Sequence, residues 1–527
     1  MATVREVTFD LLRDLGMTTI FGNPGSTELP FLQDFPEDFR YVLALQEASA
    51  LGMADGYAQG TGQAAFVNLH TGPGLGNAMG AMVTAWHNRT PLVVTAGQQD
   101  RRHIALEPLL TGDLVDLAKP YVKRSHEPER GEDVPREIHR AYHTAMQAPR
   151  GPVFVSIPMN DWDVEAESFT AREISHRSAP DPHALESAAR LLAGARRPAI
   201  VAGPGVARAG AFYDAVTLAE KMRAEVWAAP NSPLVGFPED HPLFKGHLVL
   251  AQKGLAEQLS PYDVVLVLGA QVFQYYHYVP GPVVEEGTRL VQVTEDFEEA
   301  NRAATGTSLV GDVGVAIRQL IGLLPQTERQ APSAPEKPPV PEPSSPISVE
   351  YLMYVLSKVL PTDAMVADES ASSKAKLHRH VRPSRPGGYL TSAAGGLGYC
   401  LPAAVGLKLA QSERPVVCVI GDGSVSYSIQ ALWSAARYET DVVVVVVNNR
   451  GYSILKGFRD AIGIDDTVPG LDIPGIDLVS IAEGFGAGGE RVEEAENLEG
   501  ALRRALATRR PSLLDVIVDP AVPKLLS

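Results

Sequence analysis

The chain has 527 residues, more than one hydrophobic core organises, so length alone implies about three domains of ~100–200 residues each. With 45% hydrophobic and 21% charged residues it has the composition of a folded globular protein, which excludes a disordered or fibrous chain. A formal net charge of −17 repels nucleic acid and anionic lipid, so any anionic ligand must be held by local geometry.

The first residues, MATVREVTFDLLRDLG, lack the basic flank and unbroken apolar core of a secretion signal, and no later apolar run approaches membrane-spanning length. Only Cys400 and Cys418 are present, both in apolar stretches, so neither a disulfide nor a nucleophilic thiol is expected. The expectation is a cytoplasmic protein with no membrane and no nucleic-acid partner.

Over residues 1–178, the short apolar runs TTIFG, YVLAL, AAFVNL and PLVVTAG alternate with helical patterns such as EASALGMADGYAQ, the signature of βαβ units. Phe21–Ser26 follows the first strand, Glu47 opens the helix after the second, and Asn68-Leu-His70 closes the third, ahead of Gly74, Gly76 and Asn77. Singly, Ser26 reads as a helix cap, Glu47 as a first-turn glutamate favoured by the helix dipole, and His70 as a satisfied histidine. All three nevertheless fall at strand ends, where α/β sheets gather their ligands.

Residues 179–324 begin the pattern afresh with PAIVAGPG, AEVWAAP, YDVVLVLG and TRLVQV. Gly203-Pro-Gly-Val lacks a full dinucleotide fingerprint, so this domain is expected to be structural and a nicotinamide-dependent dehydrogenase is disfavoured. Residues 325–347 hold eight prolines among Glu, Ser, Lys and Gln, a composition that favours extended, solvated chain and reads as a linker. Ser348 then suits the N-cap of VEYLMYVLSKVL, and residues 348–527 carry the strand-like runs AMVAD, PVVCVIGDG, DVVVVVVNN and SLLDVIVD, apolar enough for burial on both faces. The predicted fold is α/β, with three consecutive doubly wound parallel-sheet domains.

The sharpest pattern lies in the last third. Gly421-Asp-Gly-Ser424 directly follows a strand, and Asn448-Asn449 ends the next, with twenty-four residues between Gly423 and Asn448. Asp422 and Asn449 thus end two strands, and their oxygens can meet at one hard cation that also takes phosphate oxygen. The loop and the helix after it offer free N–H groups to an anion. A magnesium-bound diphosphate fits both requirements.

This constellation resembles the signature of thiamine-diphosphate-dependent 2-oxo acid decarboxylases. The loops Phe21–Ser26 and Asn68–His70, with FPEDFRYVLALQEA, TAGQQ and GLDIPGID, make the chain similar to the benzoylformate decarboxylase family over nearly its whole length. The resemblance implies a pyrimidine-binding, a middle and a diphosphate-binding domain, and the cofactors thiamine diphosphate and Mg²⁺. It makes Asp422, Asn449 and the carbonyl of Gly451 the metal ligands. Gly421, Gly423, Ser424, Tyr452 and the Ser370–Ser372 stretch become cofactor contacts, although Ala371 stands where the family pattern carries a hydroxyl. Gly395 resembles the residue whose carbonyl meets the aminopyrimidine, and Leu397 the apolar wedge that bends the cofactor. Glu47 takes the place of the carboxylate at the pyrimidine N1′, Ser26 that of the substrate-carboxylate contact, and His70 that of a proton-handling group.

Around the substrate the pattern departs. The family's second histidine falls on Tyr276, with His277 one residue on; in a regular strand the two point to opposite faces, and Tyr276 is expected to face the substrate. Thr391 stands where the pattern has an aromatic residue and Ile454 where it has a small one, while Leu109, Leu110, Leu455 and Phe458 match apolar pocket positions beside Pro24 and Gly25. The implied reaction is decarboxylation of a 2-oxo acid, aromatic in kind, to an aldehyde and CO₂. A carboligase of acetolactate-synthase type is the alternative; a non-catalytic homologue acting as a binding subunit is a further one, against which the joint presence of Glu47, Asp422 and Asn449 argues. Because Glu47 and the Asp422–Asn449 pair lie in different domains, which in the family belong to different subunits, a homo-oligomer is expected, a homotetramer with an obligate homodimer as the alternative.

Overall fold

Three six-stranded, all-parallel sheets follow one another along the chain in a computed structural model that describes residues 2–276, 278–464 and 468–522. The first sheet runs, edge to edge, Arg40–Leu43, Thr19–Gly22, Ala65–Leu69, Leu92–Gln98, Pro152–Pro158 and Ser125–His126. The last repeats that topology with Tyr389–Thr391, Met365–Glu369, Val416–Gly421, Val442–Asn448, Ser512–Ile517 and Gly488–Val492. Both are doubly wound, as the alternation of strand-like and helical segments predicts. In each, strand order reverses between the first and third strands in chain order, and the crevice at such a reversal is where open α/β sheets bind ligands. The runs VVVVVV and AFVNL are buried throughout, which explains why they are apolar rather than alternating.

The middle sheet has another order, Phe244–His247, Glu225–Ala228, Pro198–Ala202, Val264–Leu268, Arg289–Thr294 and Thr307–Val310. The proline-rich stretch after it is largely irregular, and its start is tied down: the Arg329 guanidinium donates to the carbonyls of Leu192, Ala193, Ala195 and Met222. Ser348 caps the helix Val349–Val359, its hydroxyl accepting from the Tyr351 N–H at 3.2 Å.

The first and last sheets are joined by two helices, Glu47–Thr61 and Cys400–Ala410, whose backbones touch. A Cβ on Gly56 would lie 2.0 Å from the carbonyl oxygen of Ala403, and one on Gly406 would lie 1.8 Å from that of Met53. One apolar core, including Leu51, Met53, Leu401 and Val405, runs through the seam. Asp55 sits inside it, accepting from the hydroxyls of Tyr399 at 2.8 Å and Thr90 at 2.9 Å, and burial pushes its carboxyl up to about 6.

Two local expectations change. The helix read from SIQALWSAARY spans only Ala431–Arg437, and Asp422–Val425 forms a helical turn of its own, so the Gly-Asp-Gly unit is the first turn itself rather than a loop ahead of it. The segment carrying Tyr276 is irregular after Val264–Leu268 rather than a strand, which removes the alternation argument for Tyr276. His277, the other half of that argument, lies outside the described residues.

Candidate active site

At the reversal point of the first sheet, the loop after Thr19–Gly22 meets the end of Ala65–Leu69. His70 N-caps the helix Thr71–Asn88, and its Nδ1 lies 2.8 Å from Glu28 Oε2 and 3.1 Å from Thr27 Oγ1. Glu28 is 1% exposed, and its carboxylate also accepts from the N–H groups of Gly25 at 2.8 Å and Gly97 at 3.0 Å. A carboxylate accepts, so His70 donates to Glu28 from Nδ1, and Nε2 is the ring nitrogen left to meet a ligand. Gly25 is required here, because a Cβ would lie 2.2 Å from His70 Nδ1. Ser26, one residue on, is exposed in the turn and does not cap the helix that follows, where Glu28 is the N-cap residue.

Glu47 is the first residue of its helix and 8% exposed. Its carboxylate accepts from Asn77 Nδ2 at 3.0 Å and Asn23 Nδ2 at 3.3 Å. Two neutral amides hold it in place, and no cation pairs with it among the described residues.

In the last sheet the oxygens sort themselves. Asn448 is committed within the domain, donating to Asp515 at 2.7 Å and accepting from the Arg450 N–H at 3.1 Å. Asn449 Oδ1 and Asp422 Oδ2, by contrast, are buried and have no hydrogen-bond partner among the described residues. Burial raises the Asp422 carboxyl to about 6, against backbone N–H groups that include those of Asn449 and Gly451. A buried carboxylate oxygen and a buried amide oxygen, both unsatisfied and both at strand ends, are of the kind a hard divalent cation takes. Gly451 is buried beside them, and Tyr452 packs over Gly423. A cavity of about 390 Å³ opens from Asp422 along Ile473–Leu478, part of the GLDIPGID segment.

The remaining cofactor candidates are placed less uniformly. Ser424 is buried, with Gly421 at the strand end before it. The Ser370 hydroxyl donates to Asp368 Oδ1 at 2.5 Å, so its proton is spent; Ala371 is exposed, and Ser372 holds the one hydroxyl of the Ser370–Ser372 stretch not already bonded within it. Gly395 is exposed with φ +70°, while Leu397 is half-buried. Their loop is anchored by Glu369, which accepts from the N–H groups of Gly398, Tyr399 and Cys400 at 2.6–2.8 Å. Burial pushes the Glu369 carboxyl up to about 7 against those three donors.

Of the pocket candidates, Ile454, Leu455 and Phe458 share the helix Ser453–Ala461, and Tyr276 packs its ring on Phe458 at 5.3 Å between centroids. Leu109 is 86% exposed, Leu110 has φ +71°, Gly25 lies against the His70 ring, and Pro24 is half-buried beside Gly25 in the chain. Thr391 stands apart: it is buried, and its hydroxyl donates to the Asp368 carbonyl at 2.6 Å, a bond within the sheet. Glu28, Thr27, Asn23 and Glu369 escaped the sequence reading. Glu28 looks like an ordinary acid at a helix start, and only the sheet brings it to His70 from forty-two residues away.

Doubly wound outer domains, with a carboxylate–amide pair at one reversal point and a carboxylate-bonded histidine at the other, define a thiamine-dependent class. Residues 2–117 match the model of the thiamine pyrophosphate enzyme N-terminal TPP binding domain, residues 185–320 that of the central domain, and residues 370–516 that of the C-terminal TPP binding domain. The benzoylformate decarboxylase of Pseudomonas aeruginosa is 44% identical over 529 residues, covering 99% of this chain and 100% of that one. The crystal structure of benzoylformate decarboxylase from Polynucleobacter necessarius superposes with a TM-score of 0.97 at 41% identity, covering all of both chains. The thiamine diphosphate-dependent 4-hydroxybenzoylformate decarboxylase of Rhodococcus jostii gives 0.96 at 43%, covering 99% of this chain and 100% of the other. The chain belongs to the benzoylformate decarboxylase family of thiamine pyrophosphate enzymes.

Proposed function

We propose that the protein is a carboxy-lyase that converts an aromatic 2-oxo acid to an aldehyde and CO₂, with thiamine diphosphate held through Mg²⁺. The observation that carries the cofactor reading is the pair of buried, unpartnered oxygens, Asp422 Oδ2 and Asn449 Oδ1, which match the cation's preference for oxygen and make little sense without it. The Gly451 carbonyl completes the protein ligands, and the N–H groups of the Asp422–Val425 turn, with Ser424 and Ser372, receive the diphosphate. When bound, thiamine diphosphate supplies the nucleophilic carbon and the electron sink for loss of CO₂.

The chain's own residues bind, orient and move protons. Glu47, held between Asn23 and Asn77, exchanges a proton with the pyrimidine N1′. His70, fixed by Glu28, offers Nε2 to the substrate oxygen, and the exposed Ser26 hydroxyl hydrogen-bonds the substrate carboxylate. Ile454, Leu455, Phe458 and Tyr276 supply an apolar wall suited to an aryl group. Exposed Leu106 and Leu109 support a homotetramer in which Glu47 of one copy and Asp422 of another share a cofactor. Two free, buried cysteines, and the absence of any membrane-crossing helix among the described residues, support a cytoplasmic location.

The test is CO₂ release by metal-stripped protein restored with thiamine diphosphate and MgCl₂, using benzoylformate, 4-hydroxybenzoylformate and pyruvate. Aryl substrates should be turned over at least ~10-fold more efficiently than pyruvate, the factor that about 1.4 kcal/mol of apolar contact provides. Equal use of pyruvate, or full activity without added Mg²⁺, would refute the assignment.

A further inference from the structure

Away from the cofactor site, three side chains from separate segments converge where the middle domain meets the C-terminal one. Glu239 lies in a turn whose N–H donates to the Pro383 carbonyl at 3.1 Å. His247 ends the edge strand Phe244–His247, and His378 lies on the helix Lys374–His380. Glu239 Oε1 is 3.1 Å from His247 Nε2 and 2.9 Å from His378 Nδ1, and the two imidazole rings are 4.1 Å apart. Glu239 and His378 are buried, and beside the three is a cavity of about 10 Å³, room for one water-sized occupant.

We propose that Glu239, His247 and His378 form a binding site for one divalent transition-metal ion, zinc by ligand chemistry, that clamps the middle domain to the C-terminal domain. Two imidazole nitrogens and a carboxylate oxygen are a zinc donor set, whereas Mg²⁺ and Ca²⁺ take oxygen alone. Bonds of about 2.0–2.1 Å in a tetrahedral site hold ligand atoms about 3.3 Å apart. The two nitrogen–oxygen spacings are within a few tenths of an ångström of that value, and all three ligand atoms lie within 4.8 Å of one another, so the ion is reached by side-chain adjustment alone. The small cavity takes the water that completes four-coordination.

Charge favours the same occupant. The buried charges nearby are Asp368, bonded to Tyr389 and Ser370, and the Lys374 ammonium on Asn231. The formal charges of Glu239, Asp368 and Lys374 sum to −1, which a cation at the cluster offsets. The helix bearing His378 begins directly after Ser370–Ser373, so the ion also braces the stretch offered to the diphosphate.

The test uses holoenzyme with thiamine diphosphate and MgCl₂ in excess, treated with chelator, desalted and titrated with CoCl₂. Wild type should bind one Co²⁺ per chain with the strong visible absorption of a four-coordinate site, which six-coordinate cobalt in an all-oxygen site does not give. His378→Ala and His247→Gln should each abolish that band, and ZnCl₂ should raise the thermal midpoint of wild type but not of His247→Gln. No strong band in wild type, binding only at large excess, or a band that persists in either variant overturns the proposal. If His378→Ala fails to fold, His247→Gln decides alone, since its side chain is the most exposed of the three, at 32%.

Discussion

Replacing Glu47 by glutamine separates geometry from chemistry, because the amide is nearly the same shape as the carboxylate. The carboxylate accepts from two amide groups, Asn77 at 3.0 Å and Asn23 at 3.3 Å. The substituted side chain keeps one of these bonds and turns its own NH₂ toward the other donor. The structural cost is one hydrogen bond, about 1 kcal/mol, rising to about 3 if the displaced amide stays buried and unpaired. The residues proposed to hold diphosphate and metal, Asp422, Asn449 and Ser424 among them, lie in another domain and are untouched. The catalytic loss expected of a removed, positioned proton-exchange group is ~10²–10⁴-fold, or about 3–5 kcal/mol of barrier. Turnover of benzoylformate should therefore fall at least ~100-fold while bound thiamine diphosphate, measured after gel filtration, is retained and the thermal midpoint barely moves. A variant with bound cofactor and a rate within ~10-fold of wild type would refute the reasoning, since about 1.4 kcal/mol is within the cost of one hydrogen bond.

Two further outcomes follow from the seam between the outer domains. Gly406→Ala places a methyl 1.8 Å from the Met53 carbonyl oxygen, backbone that cannot rotate away, so destabilisation at or beyond the ~3 kcal/mol upper range of overpacking is expected in urea titration; a neutral effect would show that the helices part freely. Burial raises the Asp55 carboxyl to about 6 and that of Glu369 to about 7, so between pH 4 and pH 7 the folded chain binds more protons than the unfolded one. Stability conferred by these protonated carboxyls is complete below the unfolded values and lost as pH rises through the folded ones, so the thermal midpoint should decline from pH 5 to pH 8 and Glu369→Gln should flatten the decline. A midpoint that rises across this window would mean that the three N–H donors keep Glu369 ionised.

Much of the architecture was legible because its cause is local. Apolar runs such as DVVVVVV must be covered on both faces, which specifies a central parallel strand, and Ser348 capped its helix as its position implied. Asp422 and Asn449 stand out because both end strands and together match the spacing of the thiamine-diphosphate signature, and both carry a buried oxygen without a hydrogen-bond partner among the described residues. Groups that act through the tertiary fold were not visible. Glu28 reaches His70 only once two strands pair, and Ser370 looked like a phosphate donor until Asp368, two residues before it, took its proton. Thr391 was assigned to the pocket by position, yet its hydroxyl is turned into the sheet. At Tyr276 the chain leaves regular structure, and irregular backbone carries no periodicity to read.

The helix seam also limits how this protein can diversify. Glu47 rides on one of the two fused helices, and the other begins just past the loop of Gly395 and Leu397. Because the joint is main chain against main chain at Gly56 and Gly406, no exchange of side chains can adjust it by a small step; it either persists or breaks. Inheritable variation is thereby pushed outward, onto Leu109, Leu110, Tyr276 and the exposed face of Ser453–Ala461, where a residue can be swapped without moving the parts that hold the cofactor. A new substrate is reached by changing the rim, and the hub is passed on unaltered.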